Sequence, residues 1–526
     1  MKTFHILTFG CQMNYADSAR IRAVLQHCGF SYEEDIKKAD IVIFETCSVR
    51  QKSEDKITGK LKEIRPDQKV WITWCMIQHN FRSRRLLKSV TSDEWQVPSQ
   101  FQQWNFFGSL MSQKPTIVWL TNSELELLDT RNSILDTVFV NHAFNPLFHI
   151  LQKKWRNLEL FRRIDDTWFL PLMLERLWYK VNYEWEFINE YEKIIPESIT
   201  SMNMHTSTAY VPISTGCNQF CAYCIVPYAR GLEKYFPVEQ IVKECEYHIK
   251  HWAKEIVLLG QIVNKHPQFV EIIKKILALK DESSVDCPKG LKPCLTRNDG
   301  RGLKRLRYTS PYPTYFSKEL LALHGKEEKL CPHIHMPLQS GSDAVLKRMF
   351  RWYSVTDAKK FIDDVRKLKR DISITTDIII WFPGETEKDF EQTLKFVEHG
   401  RFDMIYMGIY SSRPGTLAQK KYPDDVSREV KRERWNRLNE VLKRISRENN
   451  TQEIGQIRTM LVNEIKSSTL KDALPVQDWE QILLSGYTDN MKQITVKTTK
   501  GIKVGEFIKV KIIKWAEFKL SWEILP

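Results

Sequence analysis

Three cysteines within eight residues carry the clearest chemistry of this chain. Cys217, Cys221 and Cys224 form a Cys-x3-Cys-x2-Cys pattern, with Phe220 and Tyr223 between the thiols. Iron–sulfur clusters are held by cysteine thiolates, and a dedicated electron carrier normally uses four of them. Three thiolates this close on a short loop can bind three irons of one cubane and leave the fourth iron open. The spacing therefore predicts a cluster that binds a substrate at its open iron.

Two other interpretations of these cysteines stay open on residue type alone. A structural zinc site closes four ligands, commonly as two Cys-x2-Cys pairs, whereas no fourth cysteine follows here at ligand spacing. Three buried thiols without any ligand are the simplest alternative, because free cysteine packs well in apolar cores. Gly216 in front of the first cysteine and the aromatic residues between the thiols favour a ligand-binding loop.

Three further cysteines follow predicted strands near the N-terminus. The apolar segments 4–9, 40–46 and 69–73 are followed by Cys11, Cys47 and Cys75, and a helical pattern lies between the first two segments. Strands separated by helices are parallel, and open parallel sheets bind ligands at the carboxyl ends of their strands. We therefore expect these cysteines to converge at one edge of an open parallel sheet. The alternative is three unrelated core thiols.

Length and composition predict a protein of several domains. The chain has 526 residues, of which 42% are hydrophobic and 27% charged, which suits roughly three or four domains with separate cores. No apolar run approaches the roughly 18 residues of a membrane helix. The eleven cysteines have no small secreted framework around them, so the cytoplasm, where thiols stay reduced, is the expected compartment. The net charge of +14 suits a nucleic-acid partner.

Repeated strand–helix units between residues 206 and 445 predict a complete or partial β/α barrel. The predicted strands cover residues 255–259, 306–309, 333–338, 372–380 and 404–410. Polar or glycine-rich residues follow each of them, and the chemistry of such barrels lies at the carboxyl ends of the strands. Ordinary turns also use these residues, but five such ends beside a cysteine loop favour a site.

The C-terminal part of the chain changes to short strands separated by glycine. Period-2 alternation from about residue 452 predicts a small antiparallel β-barrel over 452–526, and its excess of lysine suits phosphates. Residues 428–447 before it form a predicted basic helix with eight Lys or Arg and three Glu. This helix is either a solvated connector or a contact to RNA.

The cysteine motifs resemble a known family. The run Gly-Cys-x3-Cys-x2-Cys-Ile-Val-Pro-Tyr-x-Arg-Gly, which begins at Gly216, is similar to that of the methylthiotransferases of the radical S-adenosylmethionine (SAM) superfamily. The sequences around Cys11, Cys47 and Cys75 resemble the three cysteine motifs of that family's N-terminal domain. Their form is most similar to the MiaB branch, which modifies N6-isopentenyladenosine at position 37 of tRNA.

This resemblance implies two [4Fe-4S] clusters. One would lie on Cys217, Cys221 and Cys224, where the open iron binds the amino and carboxylate groups of SAM. The other would lie on Cys11, Cys47 and Cys75 and carry the sulfur to be transferred. The resemblance also implies a SAM pocket lined by Gln339, Ser340, Ser342, Asp377, Gly384 and Glu385.

The resemblance further implies an overall α/β organisation in four parts. Residues 1–80 would be an N-terminal open parallel α/β domain, and 81–205 its divergent remainder with an insertion over about 81–160. Residues 206–445 would be a radical SAM barrel, and 452–526 an OB-like TRAM barrel that binds RNA. The implied partners are the anticodon stem-loop of tRNA and an electron donor such as flavodoxin or ferredoxin. A monomer without a membrane partner is expected.

The predicted function is methylthiolation of a tRNA adenosine at C2. The C2–H bond is aromatic and not acidic, so general-base catalysis cannot activate it, whereas a radical can. The same chemistry on threonylcarbamoyladenosine of tRNA, or on an Asp of a ribosomal protein, is an alternative. A metal-stabilised RNA-binding protein without catalysis is an alternative from another class.

Several tryptophans stand where the family has glycine. The composition includes 16 Trp and only 20 Gly, and the positions concerned are Trp74, Trp252, Trp352, Trp381, Trp522 and, as a further candidate, Trp515. The codon UGA is read as Gly in some bacterial lineages and as Trp in others, so we hypothesise that many of these positions are Gly in the native protein. Ile262, in place of the family's Asn, and Tyr235-Phe236, in place of Ser-Arg, are further departures.

Overall fold

The computed structural model describes residues 2–46, 60, 63–74, 158–162, 207–251, 253–279, 302–413, 415–424, 426–467, 482–498, 501–516 and 519–524. The chain is divided into two compact units. One consists of residues 1–9 and 24–188, and the other of residues 10–23 and 189–526. The predicted insertion over about 81–160 lies outside the described residues, except for residues 158–160.

The first unit is built on a parallel five-stranded sheet, as predicted. Its strands are β1 (Thr3–Phe9), β2 (Ser31–Tyr32), β3 (Ile41–Thr46), β4 (Lys69–Trp74) and β5 (Leu158–Arg162), in the order β2-β1-β3-β4-β5. The central strand β3 is apolar and fully buried from Ile41 to Phe44, as expected for a parallel strand covered on both faces. Two of the strands were not anticipated: β2 is only two residues long, and β5 joins from residues beyond the predicted boundary at 80.

Helix α1 (Gln12–His27) follows β1, and its residues 12–23 belong to the second unit. Met13 and Ala16 of this helix are buried against Val257, Leu259 and Tyr210. These three side chains lie on one face of their strands, since side chains two residues apart point the same way. The part of the helix that follows directly after Cys11 therefore packs within the second unit.

The core of the second unit is a partial β/α barrel of six parallel strands. These are β6 (Thr208–Pro212), β9 (Glu255–Leu259), β10 (Arg305–Tyr308), β11 (His333–His335), β12 (Ser373–Ile380) and β13 (Met404–Ile409). They form two three-stranded parallel sheets, β10-β9-β6 and β11-β12-β13. An isolated parallel bridge joins Leu306 of β10 to Leu330, three residues before β11. The predicted parallel strands are thus confirmed, with β6 as an additional strand.

The helices of this barrel are α2 (Val226–Ala229), α3 (Val238–His251), α4 (Phe269–Leu277), α5 (Lys318–Lys326), α6 (Asp343–Arg348), α7 (Val355–Arg366), α8 (Glu387–Gly400), α9 (Leu417–Lys421) and α10 (Arg428–Thr451). Reciprocal capping boxes begin α7 at Ser354 and α8 at Thr386. Such caps satisfy amide groups that the first turn of a helix leaves unpaired. Apolar side chains of β12, such as Ile374 and Ile378, are buried in the core that these helices help to form.

The basic helix α10 is extensively ion-paired with the barrel. Arg434 contacts Glu385 and Glu387, Arg437 contacts Glu387, and Arg444 contacts Glu398. These contacts support the connector interpretation of the helix, because part of its positive charge is already neutralised within the protein.

The C-terminal segment forms a closed five-stranded barrel. Its strands are β14 (Ile457–Ser467), β15 (Ile482–Thr488), β16 (Gln493–Thr498), β17 (Phe507–Ala516) and β18 (Lys519–Ile524), in the order β14-β15-β16-β18-β17. Four of the strand pairs are antiparallel, as predicted. The pair that joins β16 to β18 is parallel, which corrects the expectation of a purely antiparallel barrel. Two short strands, β7 (Ser214–Thr215) and β8 (Lys234–Tyr235), form a separate ribbon.

Arginines of strand β10 hold the C-terminal barrel in place. Arg305 donates to the carbonyl of Tyr487 at 3.2 Å, and its guanidinium lies 4.8 Å from the centre of the Phe507 ring. Arg307 donates to the carbonyl of Thr488 at 2.7 Å and to the Glu255 carboxylate at 3.0 Å. The barrel is therefore docked by buried charged groups.

None of the helices within the described residues is long and apolar enough to cross a membrane.

Candidate metal centre

The two ends of the cysteine loop, at Gly216 and at Gly231–Leu232, approach so closely that only glycine fits at position 216. We call this close approach the neck of the loop. Gly216 lies between β7 and Cys217 with a φ of +71°, and a Cβ atom there would lie 2.0 Å from the carbonyl oxygen of Leu232. The amide of Cys217 donates to the carbonyl of Gly231 at 3.1 Å. The two ends of the loop are thus held together, which explains why glycine precedes the first cysteine.

Backbone contacts within and beyond the loop fix its conformation. The amide of Cys224 donates to the carbonyl of Cys221 at 2.9 Å, and Ala222 donates to Met349 at 2.9 Å. Cys217 and Cys221 are each 8% exposed, while Cys224 is partly buried. The structure therefore shelters all three thiols from bulk water to different degrees.

Burial changes the acid–base chemistry of two of these thiols. Desolvation, with the neighbouring Cys221 as a further cause, raises the pKa of Cys217 to about 11 and that of Cys224 to about 12. Both thiols are therefore protonated at neutral pH in the metal-free protein, and a bound metal must displace their protons.

The donor set fits an iron–sulfur cluster. Three thiols occupy one loop, and Arg351 donates to the Cys221 sulfur at 3.5 Å, a contact that suits an anionic thiolate centre. Among the residues that the structure describes, no group of three or more His, Cys, Asp or Glu side chains is placed to hold a metal ion. A cubane sets a different requirement, because each of its thiolates binds a separate iron.

The predicted pocket residues after β11 are strongly engaged with their surroundings. Gln339 has a φ of +73°, and its amide donates to the carbonyl of Asp377 at 2.8 Å. The Ser342 hydroxyl donates to the Asp389 carboxylate at 2.6 Å, and the Ser340 hydroxyl lies 3.4 Å from that of Thr393. Both serine side chains thus form hydrogen bonds to helix α8, and these bonds hold the backbone of the turn in place.

Asp377 lies in the middle of β12 and not at its end. Its Oδ2 atom is 3.4 Å from Nε2 of His335 on the neighbouring strand. The structure thus pairs Asp377 with a histidine that the sequence had not connected to it. Asp377 is separated along β12 from Gly384 and Glu385, which follow the end of the strand.

Glu385 is buried beside an arginine and the backbone of Trp381. Its Oε2 atom accepts from the Trp381 amide at 2.7 Å and from Arg434 at 3.2 Å. Burial raises the pKa of Glu385 to about 7, although these two donors act to lower it. This carboxylate fixes the backbone of the turn after β12.

Trp381 occupies a backbone conformation that favours glycine. Its φ is +60°, a left-handed value that costs an L side chain about 1–2 kcal/mol. Its ring packs 3.5 Å from the Arg434 guanidinium, and its indole N–H donates to the carbonyl of Val430 at 3.1 Å. Trp352 is 67% exposed, Trp252 lies outside the described residues, and Trp74, Trp515 and Trp522 are described only as strand positions.

The predicted N-terminal cysteine site is described in part. Cys47 and Cys75 lie outside the described residues, but β1, β3 and β4 end in register, since Phe9 pairs with Thr46 and Thr46 pairs with Trp74. Cys11 is exposed, and Asn14 accepts from its amide at 3.1 Å and from its thiol at 3.3 Å. The register supports the expectation that these strand ends meet at one edge.

Two arginines beside the cysteine loop were not identified as functional residues by sequence reasoning. Arg230 belongs to the quoted motif but its partner, Asp17, is 213 residues away. Arg351 is 130 residues from Cys221 and stands in no local pattern of charge. Only folding brings these pairs together, so no signal at short spacing could have identified them.

Comparisons with known proteins match parts of this chain to known families. The profile of the Radical SAM superfamily matches residues 211–397, and that of the Uncharacterized protein family UPF0004 matches residues 3–94. The tRNA-2-methylthio-N(6)-dimethylallyladenosine synthase of Syntrophomonas wolfei is 32% identical over 99% of this chain and 97% of its own length. That of Finegoldia magna is 30% identical over 99% and 94%. Among solved structures, the radical SAM methyltransferase TsrM of Kitasatospora setae is 12% identical, with a TM-score of 0.43 over 80% of this chain and 77% of its own.

Proposed function

We propose that this chain, which belongs to the tRNA-2-methylthio-N(6)-dimethylallyladenosine synthase family of radical SAM enzymes, methylthiolates C2 of N6-isopentenyladenosine at position 37 of tRNA. The observation that carries this proposal is identity of 30–32% to enzymes of that name over 99% of this chain. The same names do not favour the threonylcarbamoyl or ribosomal-protein substrates. The enzyme is a transferase whose cofactors are SAM and [4Fe-4S] clusters.

The cysteine loop is proposed to hold the radical SAM cluster through Cys217, Cys221 and Cys224. When bound, the cluster and SAM supply a 5′-deoxyadenosyl radical that can attack the C2–H bond. The protein has to hold the thiols, exclude water and position the base, since the difficult chemistry belongs to the cofactors. The rigid glycine neck and the burial of Cys217 and Cys221 support this role.

A second cluster is proposed on Cys11, Cys47 and Cys75, as the source of the transferred sulfur. The aligned ends of β1, β3 and β4 support this assignment. The SAM pocket is proposed to include the backbone around Gln339 and the turn at Gly384 and Glu385. Ser340 and Ser342 are proposed to contribute by fixing the turn at Gln339. Asp377 is proposed to line the pocket from strand β12.

The closed C-terminal barrel is proposed to be a TRAM domain that binds the anticodon stem-loop. Lys509 and Lys511 are exposed on β17 and can contact phosphates without reading sequence. The target adenosine must leave its stack to enter the active site, as for other enzymes that act on bases. We further propose a cytoplasmic monomer that receives electrons from flavodoxin or ferredoxin.

The experiment that tests this function uses a bacterium deleted for its own enzyme of this type. Expression of the chain should restore 2-methylthio-N6-isopentenyladenosine, measured in digested tRNA by mass spectrometry. The triple Cys217→Ala, Cys221→Ala and Cys224→Ala variant is the control and should restore none. An iron-loaded, folded protein that leaves the nucleoside unmodified would contradict the proposal.

The two sites should also be separable. Replacing Cys11, Cys47 and Cys75 with Ala should retain reductive cleavage of SAM and abolish methylthiolation. The other triple variant should lose SAM cleavage and keep iron at the N-terminal site. A folded variant of either kind that loses all of its iron would show that the sites are not independent.

A further inference from the structure

We infer that Arg351 is a positioning residue of the cluster on Cys217, Cys221 and Cys224, which it charge-balances and whose reduced form it favours through a hydrogen bond to the Cys221 sulfur. This inference rests on the cluster assigned under the proposed function. It goes further by giving a defined electrostatic role to a residue outside the cysteine motif.

The position of Arg351 is set by a tight turn after α6. Phe350 has a φ of +56°, and the amide of Arg351 donates to the carbonyl of Leu346 at 2.9 Å. The guanidinium donates from Nη2 to the carbonyl of Pro337 at 2.6 Å and from Nη1 to the Cys221 sulfur at 3.5 Å. Two donors in a fixed fork thus aim the cation at the loop.

Aromatic rings surround the rest of the guanidinium. Its carbon lies 4.6 Å from the centre of the Tyr312 ring and 5.2 Å from that of Tyr353. Arginine stacks favourably against such rings, but they do not neutralise its charge. The rings therefore restrict the guanidinium to its orientation toward Cys221.

The charge of Arg351 has no carboxylate partner within the described part of the chain. None of the ion pairs formed there includes this residue, and its Nε atom is buried without an acceptor. The guanidinium carries a positive charge, because arginine is not deprotonated in proteins.

A partly buried cation without an anion is unfavourable, and the thiolates of a bound cluster would supply the missing negative charge. Adding one electron to such a cluster increases its negative charge by one. A cation hydrogen-bonded to a ligand sulfur then stabilises the reduced form more than the oxidised form, because net charge and hydrogen bonds to sulfur set cluster potentials. The electron itself comes from a low-potential one-electron donor.

The test compares Arg351→Gln, which removes the charge, with Arg351→Lys, which keeps it. Both are made in a parent that carries Ala at Cys11, Cys47 and Cys75, so that one cluster alone is observed. The matched control is Lys347→Gln, which removes an exposed cation from α6, four residues before Arg351. The midpoint potential is measured by a redox titration followed by electron paramagnetic resonance, together with iron content.

Arg351→Gln should shift the midpoint to a more negative potential, while Arg351→Lys and Lys347→Gln stay close to the parent. Without iron, Arg351→Gln should unfold at a temperature equal to or above that of the parent, because it removes an uncompensated charge. Loss of iron by Arg351→Gln alone would also support charge balance. An unchanged midpoint, or equal iron loss in both Arg351 variants, would overturn the inference. Failure of the parent to assemble a cluster would instead overturn the proposed function.

Discussion

Asp17 and Arg230 form a buried ion pair, with 2.7 Å between Oδ2 of Asp17 and Nη2 of Arg230. Each side chain is only 6% exposed, and 213 residues separate them in the chain. Asp17 lies on α1, which begins directly after Cys11, and Arg230 lies six residues after Cys224. Within one compact unit, the pair therefore ties the segment that carries Cys11 to the segment that carries the cysteine loop.

Asp17→Asn should lower stability and uncouple the two halves of the reaction. Breaking a buried pair leaves an uncompensated charge and costs about 3–5 kcal/mol, which anaerobic urea unfolding measures. We expect methylthiolation to fall more than SAM cleavage, because the substitution disturbs the placement of α1. The control Glu239→Gln removes the exposed pair with Lys275 and should cost at most about 1 kcal/mol. Equal losses in the two variants would contradict this role.

Gly216→Ala should prevent iron binding at the cysteine loop. The new Cβ would meet backbone at 2.0 Å, so the neck must open and the thiols must separate. Gly231→Ala is a matched control, since its φ is also positive, at +75°, but nothing lies within 4 Å of its Cβ. That control should cost only about 1–2 kcal/mol and retain iron. Normal iron content in Gly216→Ala would show that the neck is not required.

The stability of the barrel should fall below neutral pH because of His324. Burial lowers the pKa of this histidine to about 3, and its Nε2 atom bonds to the Tyr308 hydroxyl. In the unfolded chain His324 becomes protonated near pH 6.5, whereas in the folded protein it stays neutral at that pH. Stability from this group is therefore complete above pH 6.5 and is lost progressively as the pH falls toward 3.

His324→Gln should flatten this pH dependence, even if it lowers stability at pH 7. Unfolding in urea at several pH values between 7 and 4 measures the slope. The exposed Lys326 of the same helix supplies the control Lys326→Gln, which removes no histidine and should leave the slope unchanged. A slope that is identical in both variants and the parent would rule out His324 as its source.

Trp381→Gly should be tolerated better than Trp381→Ala. Both variants lose the ring contacts with Arg434, but only Ala retains a side chain at a φ of +60°, so Gly should be more stable by about 1–2 kcal/mol. Thermal unfolding measures the difference. If the native residue is Gly, mass spectrometry of protein from its own host will show Gly at positions 74, 252 and 381. Trp at these positions in native peptides would end the recoding hypothesis.

Lys509→Glu with Lys511→Glu should weaken tRNA binding without changing the chemistry of the bound cofactors. These exposed lysines lie on one face of β17, and removing phosphate contacts reduces both affinity and its salt dependence. Filter binding at several salt concentrations measures both. Lys388→Glu with Lys395→Glu on α8 changes the same charge and should have little effect. Truncation after Asn450 is a poorer test, because it would uncover Arg305 and Arg307.

Local spacing by itself determined much of this protein. The cysteine loop extends over eight residues, so covalent geometry alone keeps its thiols close. Helical patterns between the apolar runs predict that β3, β9 and β12 pair in parallel with neighbouring strands. The assignment of the cysteine loop to a cluster comes from a pattern of eight residues, whereas the order of the strands was not predicted.

Tertiary structure decided the relationships between distant segments. The Asp17–Arg230 pair, the approach of Arg351 to Cys221, the docking of the C-terminal barrel on Arg305 and the parallel pairing of β16 with β18 each join segments that no local pattern connects. The physical reason is that the sequence around a charged residue does not show which distant residue it will contact. Its burial and its partner are set only when elements far apart in the chain pack, and the cost of an unpaired buried charge then selects which groups meet.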